Sequence, residues 1–189
     1  MLASQRGRML QAIAEAVAEK GYARVTVADV ISRAGVSRET FYEQFEDKED
    51  AFLAALDAGA EGLVWILNSA LEQPAAEPLE RLDHVLQAYL TTLAAAPEFG
   101  KTFLIDAYGA GESATARRIE LQRRFVELVA RVLELSPDNP DDAFACEALV
   151  AAVSSLATSR IGTGRAAELP ELREPLIELA RRLSLGEAA

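Results

Sequence analysis

Residues 26–45, T-V-A-D-V-I-S-R-A-G-V-S-R-E-T-F-Y-E-Q-F, restrict the fold of this chain more than any other stretch. Thr26 is a helix N-cap type, and Asp29 three residues on can return the bond, as in a capping box. Val27, Val30, Ile31 and Ala34 then fall on one apolar face at helical spacing. Gly35 stands where a helix end needs a left-handed residue, and Ser37 can cap a second helix. In that helix Phe41 and Phe45 are four apart and share a face. Two short helices joined by a tight glycine-containing turn form a helix-turn-helix, whose second helix enters the DNA major groove. An ordinary helical hairpin inside a bundle has the same local pattern, and turn spacing does not separate the two.

The residues on either side do. Residues 26–45, with E-D-K-E-D-A-F following at 46–52, resemble the DNA-binding domain of TetR-family (tetracycline-repressor-like) transcriptional regulators. The run G-V-S-R-x-T-F-Y-x-x-F-x-x-K at residues 35–48 carries the likeness, which extends over residues 6–55. Beyond that, only length and helical layout match. The resemblance implies an all-α fold of nine helices. Its parts are an N-terminal three-helix DNA-binding domain (residues 1–46) and a helical ligand-binding and dimerisation domain (residues 47–189). It further implies a cytoplasmic homodimer on palindromic double-stranded DNA, released by a small-molecule effector. Repression is the commoner mode, and activation stays open. By the same resemblance Thr26, Ser37, Tyr42 and Lys48 position phosphates, while Arg38, Glu39, Thr40, Glu43 and Gln44 lie in the stretch that reads sequence.

Composition sets outer bounds. With 189 residues, half of them apolar, the chain can bury a real core, and its wealth of Ala and Leu favours helices. No continuous 18-residue apolar run indicates a membrane span. The start M-L-A-S-Q-R-G-R lacks the apolar centre of a signal peptide. One Cys and one His cannot supply a disulfide or a His/Cys metal cluster, so neither cofactor nor metal is expected. The net charge of −11 argues against nucleic acid until its distribution is considered. Residues 1–38 hold six basic and three acidic residues, whereas residues 51–189 hold twelve basic and twenty-one acidic. The positive part coincides with the helix-turn-helix.

Along the chain, residues 6–20 read as a first helix with Leu10, Ile13 and Val17 inward, closed by Gly21. Arg6 and Arg8 precede or open it, either as an arm touching DNA or as a solvated terminus. Asp47 caps a long fourth helix to Leu71, with Phe52, Leu56, Ala60, Leu63, Leu67 and Leu71 as its stripe. After a proline-bounded loop, residues 79–96 turn Leu82, Val85, Leu86, Tyr89, Leu90 and Leu93 inward. Pro97 opens an aromatic segment, and residues 112–135 form a long helix with ion pairs at i,i+4. Asp141 or Asp142 caps a helix rich in small residues that runs to Ile161, and residues 175–183 form the last.

Several side chains admit two readings. Glu39 and Glu43 point away from Phe41 and Phe45, toward a groove. The TetR-like pattern commonly has a small residue at position 39, so this is a departure. Either each carboxylate accepts from a base, or Glu39 supports the helix dipole and Glu43 bends back to Arg38 or Arg33. Trp65, Tyr89, Phe99, Phe103, Asp106, Tyr108 and Phe125 are candidate ligand-pocket residues, with ordinary core packing as the alternative. His84 falls about 170° from its helix's apolar stripe and reads as exposed. Ala148, Ala152, Ser155, Leu176 and Leu179 are the candidate dimer contact. No catalytic set is found. The rival functions are a helical-bundle enzyme and a helical interaction module that has lost DNA binding.

Overall fold

A computed structural model describes residues 4–184; among these, nine α-helices and three short 3₁₀ turns occur and no strand. The helices are α1 (Gln5–Lys20), α2 (Val27–Ala34), α3 (Arg38–Tyr42), α4 (Lys48–Leu71) and α5 (Pro78–Ala95). They continue with α6 (Pro97–Leu104), α7 (Glu112–Leu133), α8 (Pro140–Gly162) and α9 (Arg173–Ser184). The chain packs as two compact units. One comprises residues 4–62 with Glu98–Ile119; the other comprises Leu63–Pro97 with residues 120–184.

In the first unit the capping residues act as the sequence indicates. Thr26 and Asp29 form a reciprocal capping box, and Gly35 adopts φ 63°, ψ 45°, the left-handed conformation that ends α2. Ser37 caps α3 by accepting from the Thr40 amide. Asp47 caps α4 through the Asp50 amide at 2.9 Å. The core of the unit holds Met9, Ile13, Val17, Val30, Phe41 and Phe52, each fully buried. Leu10, expected inward, is half-exposed, because the face of α1 that meets α2 is centred on Met9, Ala12, Ile13 and Ala16.

Helix α3 is shorter than the Phe41–Phe45 spacing suggests. Its regular part ends at Tyr42, yet Phe45 remains 2 % exposed, its ring centroid 5.5 Å from that of Phe41. Helix α6 is tied to α1 across more than eighty residues of chain. Lys101 Nζ donates to the Ala18 carbonyl at 3.0 Å and pairs with Asp106 at 2.9 Å. The Thr102 hydroxyl shares its proton between the carbonyls of Glu98 and Ala14. Opposite, the Phe99 and Phe103 rings lie directly on Gly59 of α4, where an added Cβ would come within 2.4–2.6 Å of their ring atoms. Only glycine permits that approach.

In the second unit the whole inward stripe of α5 is buried as expected, against the 3₁₀ turn Ala166–Leu172 and α9. Three details differ from the sequence reading. The cap of α8 is Asn139, whose side chain accepts from the Asp141 amide, because Pro140 occupies the first helical position and moves the start upstream. Helix α9 begins at Arg173, with Pro170 taken up in the preceding turn. His84 is half-buried rather than exposed, and among the described residues its Nδ1 is buried without a hydrogen-bond partner, in a helix that packs against both the 3₁₀ turn Ala166–Leu172 and α9. On α7 the ion pairs expected at 120–124 and 123–127 are present and Arg123 also pairs with Glu120, whereas the pair expected at 127–131 does not occur among the described residues, Glu127 being taken by Arg123. Together Arg123 and then Arg124 hold the Glu120 carboxyl down to about 2.

Helix α8 is the one helix among the described residues with the length and apolar composition to cross a membrane, which the search for a continuous apolar run does not detect. One of its faces packs on α9 and the 3₁₀ turn before it, as a core helix does. The opposite face is open, with Phe144 70 % exposed beside Glu147, Ala151 and Ser155, and Leu156 38 % exposed at its edge.

Candidate nucleic-acid interface

The outward surface of α3 and the turn after it presents Ser37, Arg38, Glu39, Tyr42, Glu43 and Gln44, all exposed, while Phe41 and Phe45 anchor the reverse side. The two phenylalanines therefore fix which side chains face out. Arg38 lies over the Tyr42 ring, its guanidinium carbon 5.7 Å from the centroid and one nitrogen 3.5 Å from the hydroxyl. Stacking of this kind holds a long cation extended without neutralising it.

The hydroxyl groups are largely committed within the module. Thr26 Oγ1 donates to Asp29 at 2.7 Å, so its one proton is used inside the capping box. Ser37 and Thr40 share a hydrogen bond at 3.0 Å, which leaves one hydroxyl proton of the pair to donate elsewhere. Lys48 Nζ donates to the Tyr22 carbonyl at 3.0 Å and sits 4.1 Å from the centre of its ring, with two N–H groups remaining.

The other cations of the module brace it. Lys20 pairs with Asp29 at 2.6 Å, joining α1 to α2. Hydrogen bonds from Lys20, then Thr26, hold the Asp29 carboxyl well below the usual carboxylate range. Arg33 binds Glu19 and Glu15 of α1, and Arg24 donates to the Lys20 carbonyl at 2.6 Å. Arg6 and Arg8 do not form an arm, because α1 starts at Gln5 and includes them. Arg6 lies 4.5 Å over Phe45 and donates to the Gln44 carbonyl; Arg8 donates to the Ala34 carbonyl at the end of α2. A cation at a helix C-terminus satisfies carbonyls that have no helical partner. Sequence reasoning missed these two roles, which depend on contacts 26 and 38 residues apart. Among the described residues up to Lys48, Arg38 alone of the cations meets neither a carboxylate nor a carbonyl.

The candidate pocket residues divide between the two units. Phe99 and Phe103 stack at 4.4 Å between centroids in the first unit, where the Asp106 carboxylate is taken by Lys101 and Tyr108 is exposed. In the second, Tyr89 and Phe125 meet edge to face at 6.0 Å, and Trp65 is 71 % exposed. Of the candidate dimer residues, Ser155 is exposed, Ala148, Ala152 and Leu179 are half-exposed, and Leu176 is buried. Cys146 is buried, and burial pushes its thiol up. Among the described residues no group of three or more His, Cys, Asp or Glu is placed to hold a metal.

Residues 9–55 match the family of bacterial regulatory proteins described as the tetR family. The chain is 29 % identical over 85 residues to the HTH-type transcriptional activator FasR of Mycolicibacterium smegmatis, a match covering 45 % of this chain and 38 % of that protein. Its fold is similar to that of FadR from Bacillus subtilis, solved in complex with stearoyl-CoA, with a TM-score of 0.79 at 18 % identity over 92 % of this chain and 96 % of that one. It is similar also to a TetR-like transcriptional regulator from Rhodococcus sp. RHA1, with a TM-score of 0.77 at 22 % identity over 99 % and 100 % of the two chains. The capping box, the left-handed glycine and the exposed α3 all lie inside the matched residues, and this segment is a helix-turn-helix of the tetR-family type found in DNA-binding transcriptional regulators.

Proposed function

We infer that this chain is a cytoplasmic regulator that binds a palindromic operator as a homodimer and leaves it when a small molecule binds. The observation that carries the DNA-binding part is α3 with the turn after it, anchored by the buried Phe41 and Phe45 and exposing Arg38, Glu39, Tyr42, Glu43 and Gln44. Residues 1–46 form the DNA-binding domain and residues 47–189 the ligand-binding and dimerisation domain. Helix α4, uninterrupted from Lys48 to Leu71, is the lever between them. Arg38, Glu39, Thr40, Tyr42, Glu43 and Gln44 face the groove, with Thr26, Ser37 and Lys48 beside phosphates. The open apolar face of α8, through Ala148, Ala152 and Ser155, supports dimerisation with α9, which brings two copies of α3 about 34–36 Å apart. An effector that stabilises another spacing releases DNA by population shift.

The similarity to a FadR solved with stearoyl-CoA makes a long-chain acyl-CoA the first effector class to try. The exposed Trp65 provides the signal for it. The test is duplex selection from a random pool, followed by titration of the bound complex with stearoyl-CoA while Trp65 emission is followed. Operator binding by a dimer, lost on titration with a change in emission, supports the reading. Recovery of no bound duplex overturns it. Binding that survives saturating acyl-CoA removes that effector class.

The second reading, an interaction module without DNA binding, is favoured by the internal commitments of the cations and by the net charge of −11. Duplex binding with an ordinary negative salt dependence excludes it.

A further inference from the structure

The DNA-facing surface of α3 carries two carboxylates against one cation, an unusual balance for a surface that approaches phosphates. Glu39 and Glu43 are four residues apart and exposed on the side opposite Phe41 and Phe45. Among the described residues neither carboxylate has a hydrogen bond or ion pair. Of the two cations that could have drawn them back, Arg33 is engaged with Glu15 and Glu19, and Arg38 lies over Tyr42 and meets neither carboxylate. Nor does a helix of five residues hold a glutamate in place through its dipole, since few peptide units add to the field. Both side chains are thus left without an internal role and aimed outward.

Resting on the DNA-binding reading above, we propose that Glu39 and Glu43 are specificity-determining residues that require cytosine in the operator half-site. A carboxylate is an acceptor only. Two base groups in the major groove donate, adenine N6 and cytosine N4. Adenine sets its N7 acceptor beside N6, so a carboxylate there is attracted and repelled at once. Cytosine N4 has only a C–H neighbour on its own base. Four residues of helix rise about 6 Å, close to two base-pair steps, so the two glutamates address cytosines about two base pairs apart. Arg38 supplies the complementary donor to guanine or phosphate. Elsewhere the same carboxylates repel the backbone, so they suppress binding to every site that lacks the matching cytosine.

The experiment uses the full-length protein, a duplex selected from a random pool, and versions of it with single C·G pairs changed to T·A. Glu43→Gln and Glu39→Gln are compared with the parent in competition, with melting and light scattering as controls for fold and assembly. Glu43→Asp keeps the charge, shortens the reach and serves as a further variant if a glutamine variant fails to fold. The selected half-site is expected to hold a fixed cytosine, and Glu43→Gln to cut the preference for it by about 5- to 100-fold, because an amide donates as well as accepts. Glu39→Gln is expected to act at a cytosine about two base pairs away. A selected site with no fixed cytosine overturns the proposal. So does a uniform gain by both variants on all duplexes with the ratio unchanged, although DNA binding itself then stands. Failure to recover any bound duplex overturns the DNA-binding reading and this proposal with it.

Discussion

Helices α3 and α8 each leave one face open, and the two faces could hardly differ more. The face of α3 and the turn after it carries Arg38, Glu39, Tyr42, Glu43 and Gln44, directional donors and acceptors within seven residues of chain. That of α8 carries Phe144, Ala151 and Leu156 with Glu147, Ser155 and Ser159 among them, along a helix of twenty-three, so apolar and small side chains interrupt the polar ones. An exposed polar face costs nothing in water and gains only from a partner with matching groups, whereas an exposed apolar face is relieved by any close-fitting cover. Openness alone therefore does not identify a binding surface; its chemistry is what supports the proposals of nucleic acid for one helix and a second copy for the other.

The comparison can be broken first at α8. Ala151→Arg places a guanidinium on the open face without touching the protomer's core, since Ala151 is exposed. Burying an unpaired charge in a dimer contact costs several kcal/mol, so light scattering is expected to show monomer at micromolar concentration with the melting curve intact. An unchanged dimer assigns this face to some other partner. Leu176→Arg would not serve, because Leu176 is 1 % exposed and its loss would damage the protomer itself.

Beside α3, at the start of α4, the expected effect is smaller and electrostatic. Lys48→Ala removes an ammonium with two N–H groups still available beyond the Tyr22 carbonyl. It is expected to weaken binding to all duplexes alike and to lower the salt slope by about one. A slope that stays fixed while the melting temperature falls would make Lys48 a brace for Tyr22 rather than a phosphate contact.

The smallest effect sharpens the comparison by isolating the scaffold under α3. The Asp29 carboxyl is held below its ordinary range, so it contributes stability that is present above about pH 4, its unfolded value, and is lost as the pH falls through its folded value. Asp29→Asn is expected to shift the melting temperature down at neutral pH and to shrink that difference at pH 2–3. A difference that does not vary with pH would show that the Lys20 pair contributes nothing measurable and that capping by Thr26 alone fixes α2.

Much of the fold was legible because it is written locally. Thr26, Asp29, Gly35, Ser37 and Asp47 act on backbone groups within four residues, and the stripes of α5 and of α4, except for the half-exposed Leu71 at its end, follow from 3.6-residue spacing. The site was legible to the same extent: once Phe41 and Phe45 are inside, the outward set of α3 follows. Illegible were Arg6 and Arg8, basic residues near a terminus that the fold turns into caps for α2 and α3. His84 was misjudged for a related reason, since an amphipathic stripe gives one buried face and says nothing of a second neighbour.

By itself, then, the sequence determined most of the helices, the caps of α2, α3 and α4, and the tetR-like helix-turn-helix, all of which depend on neighbours a turn or two away. Tertiary structure alone decided which charges were left over. Arg33 and Arg38 lie five residues apart and look alike in sequence, yet one is consumed by Glu15 and Glu19 and the other stands outward over Tyr42. Long-range ion pairs and carbonyl contacts depend on where distant helices come to lie, and so does the choice of which flank of an apolar helix such as α8 stays uncovered.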